Sequence, residues 1–222
     1  MATELEIKLT LSEPSQARTL DWFLSLPEAR KGPAKALLNR YYDTPDSALN
    51  RAQAALRVRK AGDQFIQTLK TRGEFVDGAH QRQEWEWPIP SAELDLSLLH
   101  STPLADRLDL AELRPVFETN FQRQVVLLDK GANLVEVAID TGTITSCNAR
   151  RPLHEVELEL KHGDGAVLLT YARRLAEQVP VFLNLVSKAE QGYFLAGLYQ
   201  PDVRAPAPEA SSIEWLSFLS RG

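Results

Sequence analysis

The chain has 222 residues, of which 44% are hydrophobic and 25% charged, which is ordinary for a globular protein with one large domain. Its formal net charge of −5 argues against a nucleic-acid partner, because phosphate neutralisation needs a basic excess on one face. The single cysteine, Cys147, excludes an intramolecular disulfide and a cysteine metal centre, and the absence of an apolar signal core or membrane-length run predicts a cytoplasmic protein without a membrane partner.

Strand patterns dominate the first three quarters of the chain. Charged and apolar residues alternate from Glu4 to Thr10, and Ser12 with Pro14 then predicts a helix from Pro14 to Leu26. Further strands are predicted at 38–42, 55–60, 64–71, 82–89, 118–128, 134–141 and 153–161. A short capped helix is expected over 102–113, followed by helices over 165–179 and 187–198. The elements therefore predict an α+β protein.

The composition changes at the C-terminal end. After Tyr199 come Pro201, Pro206, Pro208 and several alanines, which is typical of an extended linker, and apolar residues return from Ile213 onwards. We therefore expect one domain over residues 1–199 and a linker with a tail over 200–222. We also expect this tail to lead to a further segment.

Charged side chains share one face of several predicted strands. Residues two apart in a strand point the same way, so Glu4, Glu6 and Lys8 lie opposite the neighbouring apolar residues. The same alternation places further charges at Arg57, Arg59, Lys70, Glu84, Glu86, Arg123, Asp140, Glu155, Glu157 and Glu159. One such strand alone is typical of a solvated sheet face. Several together favour a closed sheet whose helices cover the apolar outside and whose charges line the lumen.

These charges suggest a specific chemistry. Carboxylates crowded in a lumen repel each other unless a cation lies between them, and Mg²⁺ uses one or two protein carboxylates together with phosphate oxygens. Arginines match phosphate oxygens with two parallel hydrogen bonds. Carboxylates and guanidiniums in one cavity therefore predict a metal-bound polyphosphate.

The segment ELEIK at residues 4–8 resembles the E-x-E-x-K signature of the CYTH superfamily, the triphosphate tunnel metalloenzymes. Other segments stand in that family's order: YYDTPDSAL at 41–49, ALRVRK at 55–60, QTLK ending at Lys70, RQEWE ending at Glu86, HEVELELK at 154–161 and SKAEQGY at 187–193. The resemblance implies a closed eight-stranded antiparallel β-barrel, the triphosphate tunnel, with helices packed on its outside. It also implies activity with Mg²⁺ or Mn²⁺.

The resemblance also assigns roles to residues. It implies metal binding by Glu4, Glu6, Glu155, Glu157 and Glu159, and phosphate binding by Lys8, Arg57, Arg59, Lys70, Arg123 and Lys188. Glu4, Glu6 and Lys8 would be catalytic, and Glu84, Glu86 and Asp140 would be further tunnel acids. Which two of the three β-strand glutamates 155, 157 and 159 bind metal stays open, because the E-x-E pair fits in two registers. For Lys188 the alternative is a solvated lysine at a helix start.

Family members act on different triphosphates. Bacterial inorganic triphosphatases of the family often carry a helical CHAD domain after a linker, so the segment from Pro201 favours hydrolysis of inorganic triphosphate to diphosphate and phosphate. The alternatives are a thiamine triphosphatase or class IV adenylyl cyclase of the same fold, and a non-catalytic polyphosphate-binding module. The four histidines form no short-spaced ligand pair, and Trp85 and Trp87 are expected to pack on the outside.

Overall fold

The computed structural model describes the backbone of residues 2–76, 79–102, 109–147 and 149–198, and the side chains of these residues except 2–4 and 72–83. The described strands are β1 (Ala2–Leu11), β2 (Ala29–Asp43), β3 (Ala55–Ala61), β4 (Gln64–Val76), β5 (Ala79–Ile89), β6 (Arg114–Asp129), β7 (Leu134–Ser146), β8 (Ala149–His162) and β9 (Val181–Leu183). The described α-helices are α1 (Ser15–Leu24), α2 (Ala48–Arg51), α3 (Ala166–Ala176) and α4 (Lys188–Leu195). Two 3₁₀ segments, Leu96–Ser101 and Leu110–Glu112, lie between β5 and β6.

The strands form one antiparallel nine-stranded sheet in the order β5-β4-β3-β2-β6-β7-β8-β1-β9, with an additional pairing between β5 and β1. One edge of β1 pairs with β8, and the other is divided, with residues 2–6 on β5 and residues 9–11 on β9. The described part of the chain has nine strands in one sheet, and β1 is shared among β5, β8 and β9. The predicted closed eight-stranded barrel is therefore wrong. The sequence missed β9, because three residues are too short to show an alternating pattern.

The outward faces of the strands are apolar, as the alternation predicts. Ile7, Val137 and Leu158 pack with α1 and α3 in one buried cluster. A second cluster covers β3 and β4, and Trp85 and Trp87 pack against it, which confirms their expected place outside the charged face. The apolar burial of these two clusters stabilises the sheet.

Helix α4 lies on the opposite face. Its Tyr193 packs edge to face on Phe117 of β6 at a centroid distance of 5.1 Å, in a third cluster that also contains Tyr41 and Phe121. Phe117 and Phe121 share a side of β6 with Arg123, because the three are separated by even numbers of residues. The prediction that the helices pack on the outside is therefore wrong for α4, which covers part of the charged side of the sheet.

Several predicted boundaries differ from the structure. The three longer helices are each shorter than predicted, and Ser187 caps α4 with a capping box to Glu190, which confirms the expected cap. The short helix predicted over 102–113 is replaced by the two 3₁₀ segments, with residues 103–108 outside the described part. The predicted linker and tail, residues 200–222, also lie outside it. None of the described helices has the length and apolar character needed to cross a membrane.

Candidate functional site

Cross-strand pairing brings the predicted charges together. In an antiparallel sheet directly paired residues point to the same face, and one row runs from Thr10 through Glu155 and Asp140 to Arg123. The next rows towards the other end of β1 pair Lys8 with Glu157 and Glu6 with Glu159. We call this side the charged face; its described members include Glu6, Lys8, Arg57, Arg59, Lys70, Glu84, Glu86, Arg123, Asp140, Glu155, Glu157, Glu159 and, from α4, Lys188.

Lys188 lies at the centre of an ion-pair network. Its Nζ atom is 2.7 Å from Glu155 Oε2, 2.7 Å from Glu157 Oε1 and 2.9 Å from Asp140 Oδ2. Its side chain is only 8% exposed. Solvation of this lysine is therefore excluded, and α4 delivers a cation to the row of acids on β7 and β8.

Arg123 supplies the second cation of the network. Its Nε and Nη2 atoms donate to the two carboxylate oxygens of Asp140 at 2.8 and 2.7 Å, and Nη2 also donates to Glu157 at 2.5 Å. Burial alone raises the pKa of Glu157, but the charges of Lys188, Arg123 and Lys8 hold it well below its usual value. Burial likewise lowers the pKa of Lys188, and its three acids raise it well above the usual value. Glu157 and Lys188 are therefore both charged at neutral pH.

Glu155 differs from the other two glutamates of β8. It is 2% exposed, and its Oε1 atom accepts hydrogen bonds from Asn184 at 2.8 Å and from Gln191 at 2.6 Å. The sequence reasoning missed both amides. Gln191 lies three residues after Lys188, which places the two on one helix face. That spacing could have identified Gln191 as a neighbour of Lys188 in the site.

Arginines of β3 form the basic part of the charged face. Arg57 donates to the Tyr41 hydroxyl at 3.4 Å, and Arg59 donates from Nε to Asn39 Oδ1 at 2.8 Å. Burial and the positive charges of Arg57 and Arg123 lower the pKa of Arg59 to about 10. The sequence analysis also missed Asn39 and Tyr41. They lie two residues apart on β2, so they share a face, and they pair directly with Arg59 and Arg57.

The remaining predicted residues have other partners on the sheet. Lys8 is 3.3 Å from Glu6, and Glu84 is 3.2 Å from Lys70 and 3.9 Å from Arg57. Glu159 pairs with Lys161 at 2.7 Å. Glu86 is exposed and accepts a 3.4 Å hydrogen bond from Thr68. Glu4 is paired with Arg82 along the backbone, and its side chain lies outside the described part.

The donor chemistry of the charged face fits a hard divalent cation. Glu6 is 7% exposed and lies directly opposite Glu159, so two carboxylates face the same space from neighbouring strands. Oxygen ligands of this kind suit Mg²⁺ or Mn²⁺. Among the described side chains no three metal-binding groups are gathered into one cluster, so phosphate oxygens, water or residues outside that part would complete the coordination.

The chain is similar to a curated protein and to several solved structures. An inorganic triphosphatase of Haemophilus influenzae is 32% identical over 196 residues, which cover 88% of this chain and 55% of the relative. This chain therefore spans about half the length of that curated relative.

Among solved structures, a Hippeastrum protein described as an adenylyl cyclase candidate with a dominant triphosphatase activity has a TM-score of 0.61 at 21% identity, covering 89% of this chain and 98% of that one. A Bacillus halodurans protein, described as an adenylate cyclase candidate, has a TM-score of 0.56 at 16% identity and covers 87% of this chain and 100% of its own. These two likenesses show a shared fold. The model of the CYTH domain matches residues 2–193, and the chain therefore belongs to the CYTH domain family.

Proposed function

We propose that this chain hydrolyses inorganic triphosphate to diphosphate and phosphate on its charged face, with a divalent metal ion. The observation that carries the proposal is the convergence of Arg57, Arg59 and Arg123 on one side of the sheet. Arg59 has no ion pair with a carboxylate among the described residues, and burial together with the neighbouring cations lowers its pKa. An anion with several negative charges relieves this repulsion, because each oxygen pair can accept two hydrogen bonds from one guanidinium.

The acids of β1 and β8, on the same charged face as the arginines, support a metal-bound form of that anion. We propose that Glu4, Glu6, Glu157 and Glu159 supply carboxylate oxygens to Mg²⁺ or Mn²⁺. Glu155 is buried under Lys188, Asn184 and Gln191, so we assign it the role of internal counterion. When bound, the metal would neutralise charge on the phosphate oxygens and make a bound water more acidic.

The residues of the chain have separate parts in the reaction. Arg57, Arg59 and Lys70 bind and orient the phosphates from β3 and β4. Arg123 and Lys188 offset Asp140 and Glu157, so that the acidic side does not repel the polyanion. A water oriented by a carboxylate then attacks the terminal phosphorus, and diphosphate leaves with the bonding electrons. No covalent bond to the protein is needed.

The substrate choice rests on the curated relative. The H. influenzae protein is an inorganic triphosphatase, and this favours inorganic triphosphate over thiamine triphosphate or ATP. That relative is also much longer than this chain. We propose that residues 1–199 form the catalytic domain and that the Pro-rich segment 200–222 is a linker towards a further domain.

A phosphate-release panel tests the proposal. Inorganic triphosphate, thiamine triphosphate and ATP are each supplied with Mg²⁺, Mn²⁺ or a chelator, and cyclic AMP is measured separately. We expect metal-dependent phosphate release that is fastest with inorganic triphosphate. Faster turnover of thiamine triphosphate, cyclic AMP formation from ATP, or binding of triphosphate without any release would each overturn the assignment in favour of one named alternative.

A further inference from the structure

The guanidinium of Arg59 is held by a neutral side chain. Its Nε atom donates to Asn39 Oδ1 at 2.8 Å, and the two residues are directly paired across β2 and β3. Within the described part of the chain, Arg59 makes no ion pair with a carboxylate. The bond from Asn39 therefore fixes the direction of the guanidinium and leaves its positive charge unopposed at this contact.

The amide of Asn39 is itself fixed in one orientation. Asn39 is 0% exposed, and its Nδ2 atom donates to Thr119 Oγ1 at 3.0 Å and to the Thr119 carbonyl at 3.4 Å. A carbonyl can only accept a hydrogen bond and a guanidinium can only donate one, so the amide oxygen must face Arg59 and the amide nitrogen must face Thr119. Thr119 is also 0% exposed and pairs directly with Asn39. The three residues therefore form one row across β3, β2 and β6.

A second arginine of the charged face shows what a carboxylate does in the same place. Arg123 pairs directly with Asp140 across β6 and β7, and its Nε atom donates to Asp140 Oδ1 at 2.8 Å, which matches the contact of Arg59 with Asn39. The second oxygen of Asp140 accepts a further bond from Arg123 Nη2 at 2.7 Å, so the charge of Arg123 is offset within the pair. In Asn39 the corresponding atom is a nitrogen, which donates to Thr119 instead. Asn39 therefore takes neither the Nη atoms nor the charge of Arg59.

We infer that Asn39 is a positioning residue, which directs the Arg59 guanidinium through a neutral contact and so keeps its charge and its Nη atoms for a polyphosphate. The inference rests on the proposed function, because that function supplies the anion. Asn39 cannot touch the anion itself, since it is fully buried. The amide in place of a carboxylate thus distinguishes an anion-binding arginine of β3 from the neutralised arginine of β6.

The charge is tested by Asn39→Asp, which replaces the amide nitrogen by a second carboxylate oxygen at nearly unchanged shape. Calorimetry gives the dissociation constant of inorganic triphosphate in the presence of a chelator, which prevents metal-dependent turnover. We expect this constant to rise at least about tenfold, as for the loss of one charged hydrogen bond. The matched control is Asn120→Asp, because Asn120 follows Thr119 in β6, is exposed and points to the opposite face. It adds the same charge and should leave the dissociation constant nearly unchanged.

The positioning is tested by Thr119→Val, which adds no charge and folds even if Asn39→Asp does not. It keeps the shape of the buried row and removes the hydroxyl that accepts from Asn39 Nδ2, so the amide is held less well. We expect the dissociation constant to rise about threefold, with an unchanged circular dichroism spectrum. In an Arg59→Met background Thr119→Val should have no further effect, because it acts through Arg59. A merely structural role would weaken binding equally in both backgrounds.

The outcomes separate the inference from the proposed function. An undiminished effect of Thr119→Val in the Arg59→Met background would overturn the inference. A wild-type dissociation constant in Thr119→Val, or in a folded Asn39→Asp, would also overturn it. Phosphate release with Mg²⁺ is measured separately on the same proteins. If the wild type binds triphosphate but releases no phosphate, only the proposed function fails, and the variants still decide the inference. A wild type that binds no triphosphate would overturn both.

Discussion

Replacing Lys188 by methionine keeps the length of the side chain and removes its charge. Lys188 contacts three carboxylates at 2.7–2.9 Å and is 8% exposed, and a unit-charge pair about 3 Å apart contributes roughly 5–6 kcal/mol at an effective dielectric constant near 20. The cost of desolvating the lysine and its repulsion with Arg123 offset most of the Coulombic attraction to the three carboxylates. Loss of one partner from a buried ion pair costs about 3–5 kcal/mol in other proteins, and we expect Lys188→Met to destabilise the fold by that amount.

Urea denaturation at pH 7 and pH 4 measures this loss. In the wild type the pKa of Glu157 is held well below its usual value, so its contribution to stability is full above an unfolded pKa of about 4.3 and is lost as the pH falls further. Without Lys188 the pKa of Glu157 rises, and protonation of Glu157 at low pH relieves its repulsion with the neighbouring carboxylates. The cost of the substitution should therefore shrink between pH 7 and pH 4.

A matched control is Lys31→Met, which removes an exposed lysine of β2 paired with Val126 and should change stability by less than about 0.5 kcal/mol. A loss below about 1 kcal/mol for Lys188→Met at pH 7, or an equal loss at both pH values, would refute the account of the ion-pair network.

Three further substitutions address the metal, the phosphate and the packing of α4. Glu6→Gln should lower the rate at every Mg²⁺ concentration while circular dichroism stays unchanged; wild-type rates across the titration would remove Glu6 from the metal site. Arg59→Ala should lower kcat/KM for triphosphate, with partial recovery in Arg59→Lys because lysine lacks the forked donor pair; equal kinetics of all three proteins would contradict a phosphate contact. Gly192→Ala should destabilise the fold in urea by about 1–3 kcal/mol, since the added Cβ meets Phe117 at 2.1 Å, and a stabilised variant would show that α4 can move off β6.

The alternation of charges in the sequence predicted much of the candidate site. Period two in a strand fixes which residues share a face, so Glu6 with Lys8 and Arg57 with Arg59 were placed correctly relative to the apolar clusters. The roles assigned to these residues stay predictions. Pairing between strands distant in the sequence, such as Glu6 with Glu159, could not be deduced, because alternation within a strand carries no information about its neighbours.

Helix α4 shows where sequence patterns were insufficient. Lys188 and Gln191 are polar, and polar helix residues ordinarily face water, whereas here both are buried against the acids of β7 and β8. The apolar residues of α4 are split between the Phe117 cluster and solvent, where Phe194 is 67% exposed. No single apolar stripe marks the packed side. A helix that covers a charged surface therefore looks like a helix on the outside.

The central claim is that the charged face binds a polyphosphate with a metal ion. The most direct test is a thermal-shift series with Mg²⁺ and phosphate, diphosphate or triphosphate at equal concentrations, on the wild type and on Arg59→Ala. A ligand at a hundred times its dissociation constant stabilises the folded state by about 2.7 kcal/mol, which such a series resolves. We predict that the shift grows with the length of the anion, because only a longer chain reaches Lys70 of β4 together with the arginines of β3, and that the triphosphate shift is strongly reduced in Arg59→Ala. Equal shifts for phosphate and triphosphate, or an undiminished triphosphate shift in the variant, would contradict the claim.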